Sequence, residues 1–262
     1  MIKAKKSLGQ NFLVDRNIID KISNFKDIQN KTILEIGPGT GNLTSSLLQK
    51  KPKKFYVIEK DNSLVPILKK EFNDQIIIIN DDVLSVDENT LSKEPLIVFG
   101  NLPYNISTEI LCKWILNIDD KNIWFTDLIL MFQKEVADRI ISNYNSSKYG
   151  RLSILANWKL DIRRITDIKP TCFSPKPKVE STLLFFSPKK NVTNIENPYN
   201  LEKITRIFFN HRRKMIKKPY YQIFSQSSNV SEKLDIDLNL RPQNLNFETY
   251  YKLTEEYEKL RS

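Results

Sequence analysis

The sequence predicts an α/β fold in which a mostly parallel, doubly wound sheet precedes a small carboxyl-terminal helical domain. The runs at 76–79 and 96–99 are apolar throughout and lack the alternation of a half-buried strand. Strands buried on both faces have this composition, which indicates a parallel sheet covered by helices. Helical patterns separate the predicted strands over the first two thirds of the chain, and this alternation is typical of doubly wound domains.

The predicted elements follow one another in the order that such a fold requires. Strands are predicted at 32–36, 55–58, 76–79, 96–99, 128–132 and 182–186. Helices are predicted at 42–49, 63–72, 108–116, 134–141, 201–209 and 247–260. Pro66 lies near the start of its helix, where proline is tolerated. The polar segment 188–198 has the asparagines and prolines of a linker. We therefore predict a main domain at 1–190 and a helical domain at 191–262.

Composition limits the classes of function that the chain can have. It holds 41 Lys and Arg against 31 Asp and Glu, a formal net charge of +10 over 262 residues. A basic excess of this kind suits a polyanionic partner such as nucleic acid. Two cysteines and one histidine exclude a zinc cluster and a disulfide framework, and they disfavour a His-based triad. No apolar run is long enough to span a membrane and the amino terminus lacks a signal-peptide core, so we expect a cytoplasmic protein.

A glycine-rich turn follows the first predicted strand and opens a helix. Its spacing, Glu35-Ile36-Gly37-Pro38-Gly39-Thr40-Gly41-Asn42, lacks the last glycine of the dinucleotide-binding fingerprint. An acid followed by this tighter glycine spacing is typical of S-adenosylmethionine sites, where Gly37 and Gly39 would allow the cofactor to approach the backbone. A tight turn without a ligand is the alternative, but three of the chain's six glycines lie here.

Acidic residues end the next two predicted strands. Glu59 lies about 20 residues beyond the glycine turn, where a carboxylate can accept hydrogen bonds from ribose hydroxyls. The pair Asp81-Asp82 follows the third strand, where one carboxylate can accept from the exocyclic amine of the cofactor's adenine. The pattern does not decide between the two aspartates.

The tetrapeptide Asn101-Leu102-Pro103-Tyr104 ends the fourth predicted strand. It matches the signature of enzymes that methylate an exocyclic amine of a base. The Asn101 side-chain oxygen and the Leu102 carbonyl can accept hydrogen bonds from the amine, while Pro103 restricts the backbone. Tyr104 can stack on a flipped base. Positioning and charge complementarity would supply most of the catalysis.

Together these motifs resemble those of a known family, the small-subunit ribosomal RNA adenine N6,N6-dimethyltransferases. The likeness covers nearly the whole chain and begins at Gly9-Gln10-Asn11-Phe12-Leu13. In that family the amino-terminal motif closes over the cofactor, so the resemblance implies that Asn11 and Leu13 contact it. It also implies a Rossmann-like S-adenosylmethionine-dependent methyltransferase domain. As cofactor-site residues it supports Gly37, Glu59, Asp82 rather than Asp81, and Asn101.

Further family-like runs occur at 133–139, 149–153, 173–181 and 209–214. The resemblance implies that Phe173 forms a second stacking face opposite Tyr104. It also implies that Arg212, Arg213 and Lys214 contact RNA phosphates, although a solvated charged helix face is an alternative for each of them.

The resemblance further implies a substrate and a setting. Two adjacent adenines in a hairpin loop near the 3′ end of small-subunit (16S) RNA would each be methylated twice, within a partly assembled subunit. S-adenosylmethionine would be the co-substrate, no metal would be needed, and the protein would act as a monomer.

Three other functions remain open at this point. A related large-subunit RNA methyltransferase of the macrolide-resistance type would share the cofactor site and the tetrapeptide. A subunit-assembly factor that acts mainly by binding would share the basic surface. A DNA amino-methyltransferase is disfavoured because no separate sequence-reading domain is apparent.

Overall fold

The computed structural model describes residues 4–118, 123–225 and 229–261, without the side chain of Lys6. The few remaining positions of the two predicted domains lie outside the described residues. The strands are β1 Phe12–Leu13, β2 Thr32–Ile36, β3 Lys54–Ile58, β4 Ile77–Ile79, β5 Leu96–Asn101, β6 Phe125–Gln133, β7 Leu160–Ile168, β8 Phe173–Ser174 and β9 Ser181–Pro188. The α-helices are α1 Arg16–Ser23, α2 Asn42–Leu48, α3 Val65–Phe72, α4 Ser107–Leu116, α5 Lys134–Ile140, α6 Arg151–Lys159, α7 Pro198–Phe209, α8 Lys217–Ile223, α9 Val230–Lys233 and α10 Phe247–Lys259.

Seven of the strands form one sheet in the order β4-β3-β2-β5-β6-β9-β7. The four pairings among β4, β3, β2, β5 and β6 are parallel, and β9 joins β6 antiparallel. In the register of the central strands, Ile36 lies opposite both Ile58 and Gly100, so their carboxyl ends are level. The predicted α/β fold with a mostly parallel sheet is confirmed.

Apolar burial explains why these segments form strands. All five residues of β2 are buried, as are the first five of β5. Residues such as Ile33, Val57 and Phe99 contribute to one hydrophobic cluster between the sheet and its helices. Burial on both faces of the central strands accounts for their unbroken apolar runs.

The sequence pattern did not predict β7, nor did it predict the two-residue strands β1 and β8. β7 lies at the edge of the sheet, and the adjacent Arg163 and Arg164 interrupt its apolar alternation. A strand with one covered side tolerates exposed charges along its length, which removes the periodic signal on which the prediction depends.

The chain divides into two compact units, and both take more than one stretch of sequence. Within the described residues, the first comprises 4–113, 118, 123–137 and 162–188, and the second comprises 114–117, 138–161, 189–225 and 229–261. The predicted division after residue 190 lies close to residue 189, where the last stretch of the second unit begins. The second unit also includes residues 138–161, which the prediction placed in the main domain. Aromatic packing explains this difference, because the Tyr149 ring lies 6.1 Å from that of Phe209 and 5.3 Å from that of Phe247.

No helix in the part of the chain that the structure describes combines the length and the apolar character needed to cross a membrane.

Candidate active site

A cavity lies at the carboxyl ends of the parallel strands β2, β3 and β5. It encloses about 900 Å³, including the part open to solvent, which is within the range of small-molecule sites. The lining comes from the segments 7–12, 36–39, 58–60, 81–83 and 101–106. The structure therefore brings the four motifs of successive strand ends, and the amino-terminal motif, to one place. Ligands of open α/β sheets bind at this end of the strands.

The glycine turn adopts backbone angles that favour glycine. Gly37 and Gly39 both line the cavity, with φ angles of 66° and 59°. A Cβ atom on Gly39 would lie 2.7 Å from the Phe12 ring, so this turn has no space for a side chain. A larger residue at Gly39 would meet both backbone strain and a steric clash.

Glu59 is a buried carboxylate at the carboxyl end of β3. Its Oε2 accepts from the backbone N–H of Gly39 at 3.1 Å, and its Oε1 accepts from that of Asp61 at 2.8 Å. Burial raises the pKa of Glu59, and these N–H donors act against that shift. Each carboxylate oxygen can accept a further hydrogen bond, so Glu59 can bind a ribose hydroxyl while it holds the glycine turn.

Glu35 lies beneath the cavity rather than in its lining. Its side chain is buried and accepts from Thr44 Oγ1 at 2.7 Å. Burial raises the pKa of Glu35 to about 8, and the nearby Glu59 carboxylate adds to the shift. The acid that precedes the glycines therefore supports the turn from inside the fold.

Both aspartates that follow β4 line the cavity. Asp82 accepts from Lys60 Nζ at 2.5 Å and from the Leu84 N–H at 3.0 Å. The hydrogen bond from Lys60 lowers the pKa of Asp82, which keeps this carboxyl ionised. Asp81 is exposed and accepts from the N–H of Asp82 at 2.7 Å. The choice of Asp82 over Asp81 as the adenine contact stays a prediction.

The amino-terminal segment holds the side chain of Asn101 in one orientation. Asn101 Nδ2 donates to the backbone carbonyl of Asn11 at 2.7 Å, and both residues line the cavity. No described residue donates to Asn101 Oδ1, so this oxygen can accept from the amino group of a ligand.

The rest of the tetrapeptide also borders the cavity. Leu102, Pro103 and Tyr104 are lining residues, and Leu102 is buried. The Tyr104 hydroxyl lies 2.5 Å from Oγ of Ser181, a fully buried residue of β9. Burial raises the pKa of Tyr104, so the phenol stays protonated. The hydrogen bond to Ser181 thereby holds the Tyr104 ring at its hydroxyl end.

Sequence patterns did not identify the contacts that hold the amino-terminal segment in place. Lys5 Nζ and Gln10 Nε2 bind the two oxygens of Asp61 at 2.5 Å and 2.7 Å. Asp61 is buried and follows Glu59 by two residues, which is the single local signal for its role. Phe12 was also missed, although its ring covers Gly39.

Two predicted contact residues lie in the core instead of the cavity lining. Leu13 and Phe173 are 5% and 4% exposed and belong to the main hydrophobic cluster. They face each other in the short antiparallel pair of β1 and β8. The Leu13 carbonyl accepts from Asn42 Nδ2 at 2.8 Å, and the cofactor contact of Leu13 stays a prediction. Phe173 is not among the residues that line the cavity, and its stacking role opposite Tyr104 stays a prediction.

Arg212 makes hydrogen bonds within the second unit. Its Nη2 donates to the carbonyl of Tyr149 at 2.8 Å and to that of Ser146 at 3.4 Å, and its Nε donates to Gln243 at 3.3 Å. Arg212 therefore has a structural role, and its phosphate contact stays a prediction. Arg213 and Lys214 are exposed, as a phosphate contact requires.

Among the described side chains, no group of three or more His, Cys, Asp or Glu could hold a metal ion.

Comparison with known proteins finds relatives over nearly the whole chain. The family described as ribosomal RNA adenine dimethylase matches residues 1–259. A protein of Pelagibacter ubique (strain HTCC1062) named ribosomal RNA small subunit methyltransferase A is 63% identical over 260 residues, 99% of each chain. A protein of the same name from Ehrlichia ruminantium (strain Gardel) is 43% identical over 254 residues, 95% of each chain.

Two solved structures share the architecture. A dimethyladenosine transferase from Plasmodium falciparum has a TM-score of 0.78 at 27% identity, covering 95% of this chain and 98% of the other. The 23S rRNA methyltransferase ErmE has a TM-score of 0.68 at 20% identity, covering 95% and 100%. At 20% identity, the likeness to this second structure concerns the fold alone.

Proposed function

This chain belongs to the ribosomal RNA adenine dimethylase family, and on that premise we propose that it transfers methyl groups from S-adenosylmethionine to N6 of adenine in small-subunit ribosomal RNA. The product would be N6,N6-dimethyladenosine. The relatives at 63% and 43% identity are named small subunit methyltransferases, which favours this substrate over large-subunit RNA.

The observation that carries the proposal is the state of Asn101. Its amide nitrogen donates to the Asn11 carbonyl, its oxygen has no donor among the described residues, and Asn101 lines the cavity. An acceptor fixed in this way suits the amino group of a base, and the Tyr104 ring beside it suits the base itself. No general base is required, because the proton leaves readily once nitrogen has become cationic.

The other residues of the cavity fit S-adenosylmethionine. Gly37 and Gly39 leave room along the backbone, Glu59 can accept from ribose hydroxyls, and Asp82 can accept from the adenine amine. When bound, S-adenosylmethionine supplies a methyl group on a positively charged sulfur. In the first methylation, two hydrogen bonds, from N6 to the Asn101 oxygen and to the Leu102 carbonyl, would draw the nitrogen towards a tetrahedral, nucleophilic geometry; in the second, N6 has one N–H left to donate. Pro103 and Tyr104 would hold the backbone and the base, so the protein contributes mainly by positioning.

The proposal extends to the setting of the reaction. Two adjacent adenines in a hairpin loop near the 3′ end of 16S RNA would be modified in a partly assembled subunit during subunit biogenesis. The protein would act in the cytoplasm as a monomer and without a metal. Arg213 and Lys214, which are exposed, would contact phosphates of this RNA.

A second function, from another class, is that of an assembly factor that acts by binding the subunit. The net charge of +10 favours RNA binding by itself. Removing the Asn101 amide distinguishes the two functions, because subunit binding would persist in such a variant and methyl transfer would not.

The test is transfer of labelled methyl from S-adenosylmethionine to unmethylated small subunits, with large subunits in parallel and mass spectrometry of the nucleosides. We expect dimethyladenosine in small-subunit RNA alone. Asn101→Ala should reduce the rate roughly 100-fold or more, as loss of a transition-state hydrogen bond does. Asn191→Ala, at an exposed asparagine, is the matched control. Tight subunit binding without any transfer would favour the assembly factor, and label in large subunits alone would refute the proposed substrate.

A further inference from the structure

Lys113 places a positive charge inside the first compact unit. It lies on α4, the helix that begins three residues after Tyr104, and its side chain is 19% exposed. Its Nζ binds both oxygens of Glu88, at 2.9 Å and 3.0 Å, and the carbonyl of Val83 at 2.8 Å. It also donates to the carbonyl of Val86. Taking a lysine out of water is costly unless partners of this kind surround it.

Glu88 is buried more deeply than its partner. Its side chain is 4% exposed, in a short 3-10 helix that runs from Glu88 to Thr90. Replacing one member of a buried ion pair leaves the other charge uncompensated. The pair therefore holds the segment between Val83 and Glu88 against α4.

This segment is continuous with the acidic edge of the cavity. Asp82 and Val83 line the cavity. The N–H groups of Ser85 and Val86 donate to the Asp82 carbonyl at 2.8 Å and 3.2 Å, and the Leu84 N–H donates to its carboxylate. Residues 82–86 thus form one turn, with the Asp82 carboxylate at its start and the Lys113 ammonium at its end.

We propose that Lys113, paired with Glu88, is a positioning residue that holds the Asp82 turn in place for the adenine end of the cofactor. The inference rests on the proposed function, since it assigns that end of S-adenosylmethionine to Asp82. Lys113 acts through the turn and touches neither the reacting methyl group nor the target base. Its removal should therefore weaken cofactor binding while the chemical step is preserved.

The experiment compares wild type, Lys113→Met and the control Lys70→Met, at an exposed lysine of α3. Calorimetry gives Kd for S-adenosylmethionine and for 5′-methylthioadenosine, which keeps the adenosine and lacks the amino-acid part. For Lys113→Met we expect both Kd values to rise by the same factor, about tenfold, the effect of losing hydrogen bonds to a charged group. The kcat at saturating S-adenosylmethionine should stay within about twofold of wild type, so the defect would lie in KM.

Glu88→Gln keeps the shape of the side chain and removes its charge, and it tests the same pair if Lys113→Met does not fold. We expect a smaller rise in both Kd values. Two results would overturn the positioning role of Lys113. One is a folded variant with unchanged Kd values, and the other is a variant that binds S-adenosylmethionine more weakly but 5′-methylthioadenosine as tightly as wild type does. Wild type that binds neither ligand would instead refute the proposed function, which separates the two failures.

Discussion

The hydrogen bond between Tyr104 and Ser181 offers a quantitative test of how the base-binding ring is held. The two oxygens lie 2.5 Å apart and Ser181 is fully buried, so each hydroxyl depends on the other. Leaving a buried hydroxyl without its partner costs about 1–3 kcal/mol. Ser181→Ala and Tyr104→Phe each remove one side of the bond, whereas the double variant leaves no unpaired hydroxyl.

We expect each single variant to lower kcat/KM for small subunits by roughly fivefold to tenfold, which corresponds to about 1–1.4 kcal/mol. The double variant should be no worse than the poorer single one, because a shared interaction is lost only once. The assay is methyl transfer at saturating S-adenosylmethionine with the subunit concentration varied. Tyr144→Phe, at an exposed tyrosine, serves as the control. Additive losses in the double variant would refute the idea that Ser181 positions the ring.

Two further predictions concern stability. Burial raises the pKa of Glu35 to about 8 from 4.5, so the folded chain retains a proton that the unfolded chain loses. The free energy of unfolding of wild type relative to Glu35→Gln should therefore be highest below pH 4.5. It should fall between pH 4.5 and about pH 8, by up to about 1.4 kcal/mol per pH unit. A difference between the two proteins that stays constant in urea titrations across this pH range would contradict the prediction. Arg212→Ala should lower the free energy of unfolding by about 1–3 kcal/mol, because the carbonyls of Ser146 and Tyr149 lose their donor. Lys214→Ala should leave the free energy of unfolding unchanged and weaken subunit binding in a salt-dependent way. Equal unfolding curves for Arg212→Ala and Lys214→Ala would count against the structural role of Arg212.

Much of the site could be predicted from the sequence, because its motifs are local. The glycine turn, Glu59, Asp82 and Asn101 each follow an apolar strand, and parallel strands bring such ends to one edge of a sheet. The same reasoning could not show which atoms these residues offer to a ligand. The Asn101 amide is oriented by the hydrogen bond from its Nδ2 to the carbonyl of Asn11, which is ninety residues away in sequence.

The sequence by itself determined the fold class and the strand ends at which the motifs meet, since both depend on short-range patterns of apolar residues and glycines. Tertiary structure alone decided that Leu13 and Phe173 pack in the core, that Arg212 binds carbonyls within the protein and that Lys113 pairs with Glu88. Burial and partners distant in sequence determine these contacts, and no local pattern records those partners.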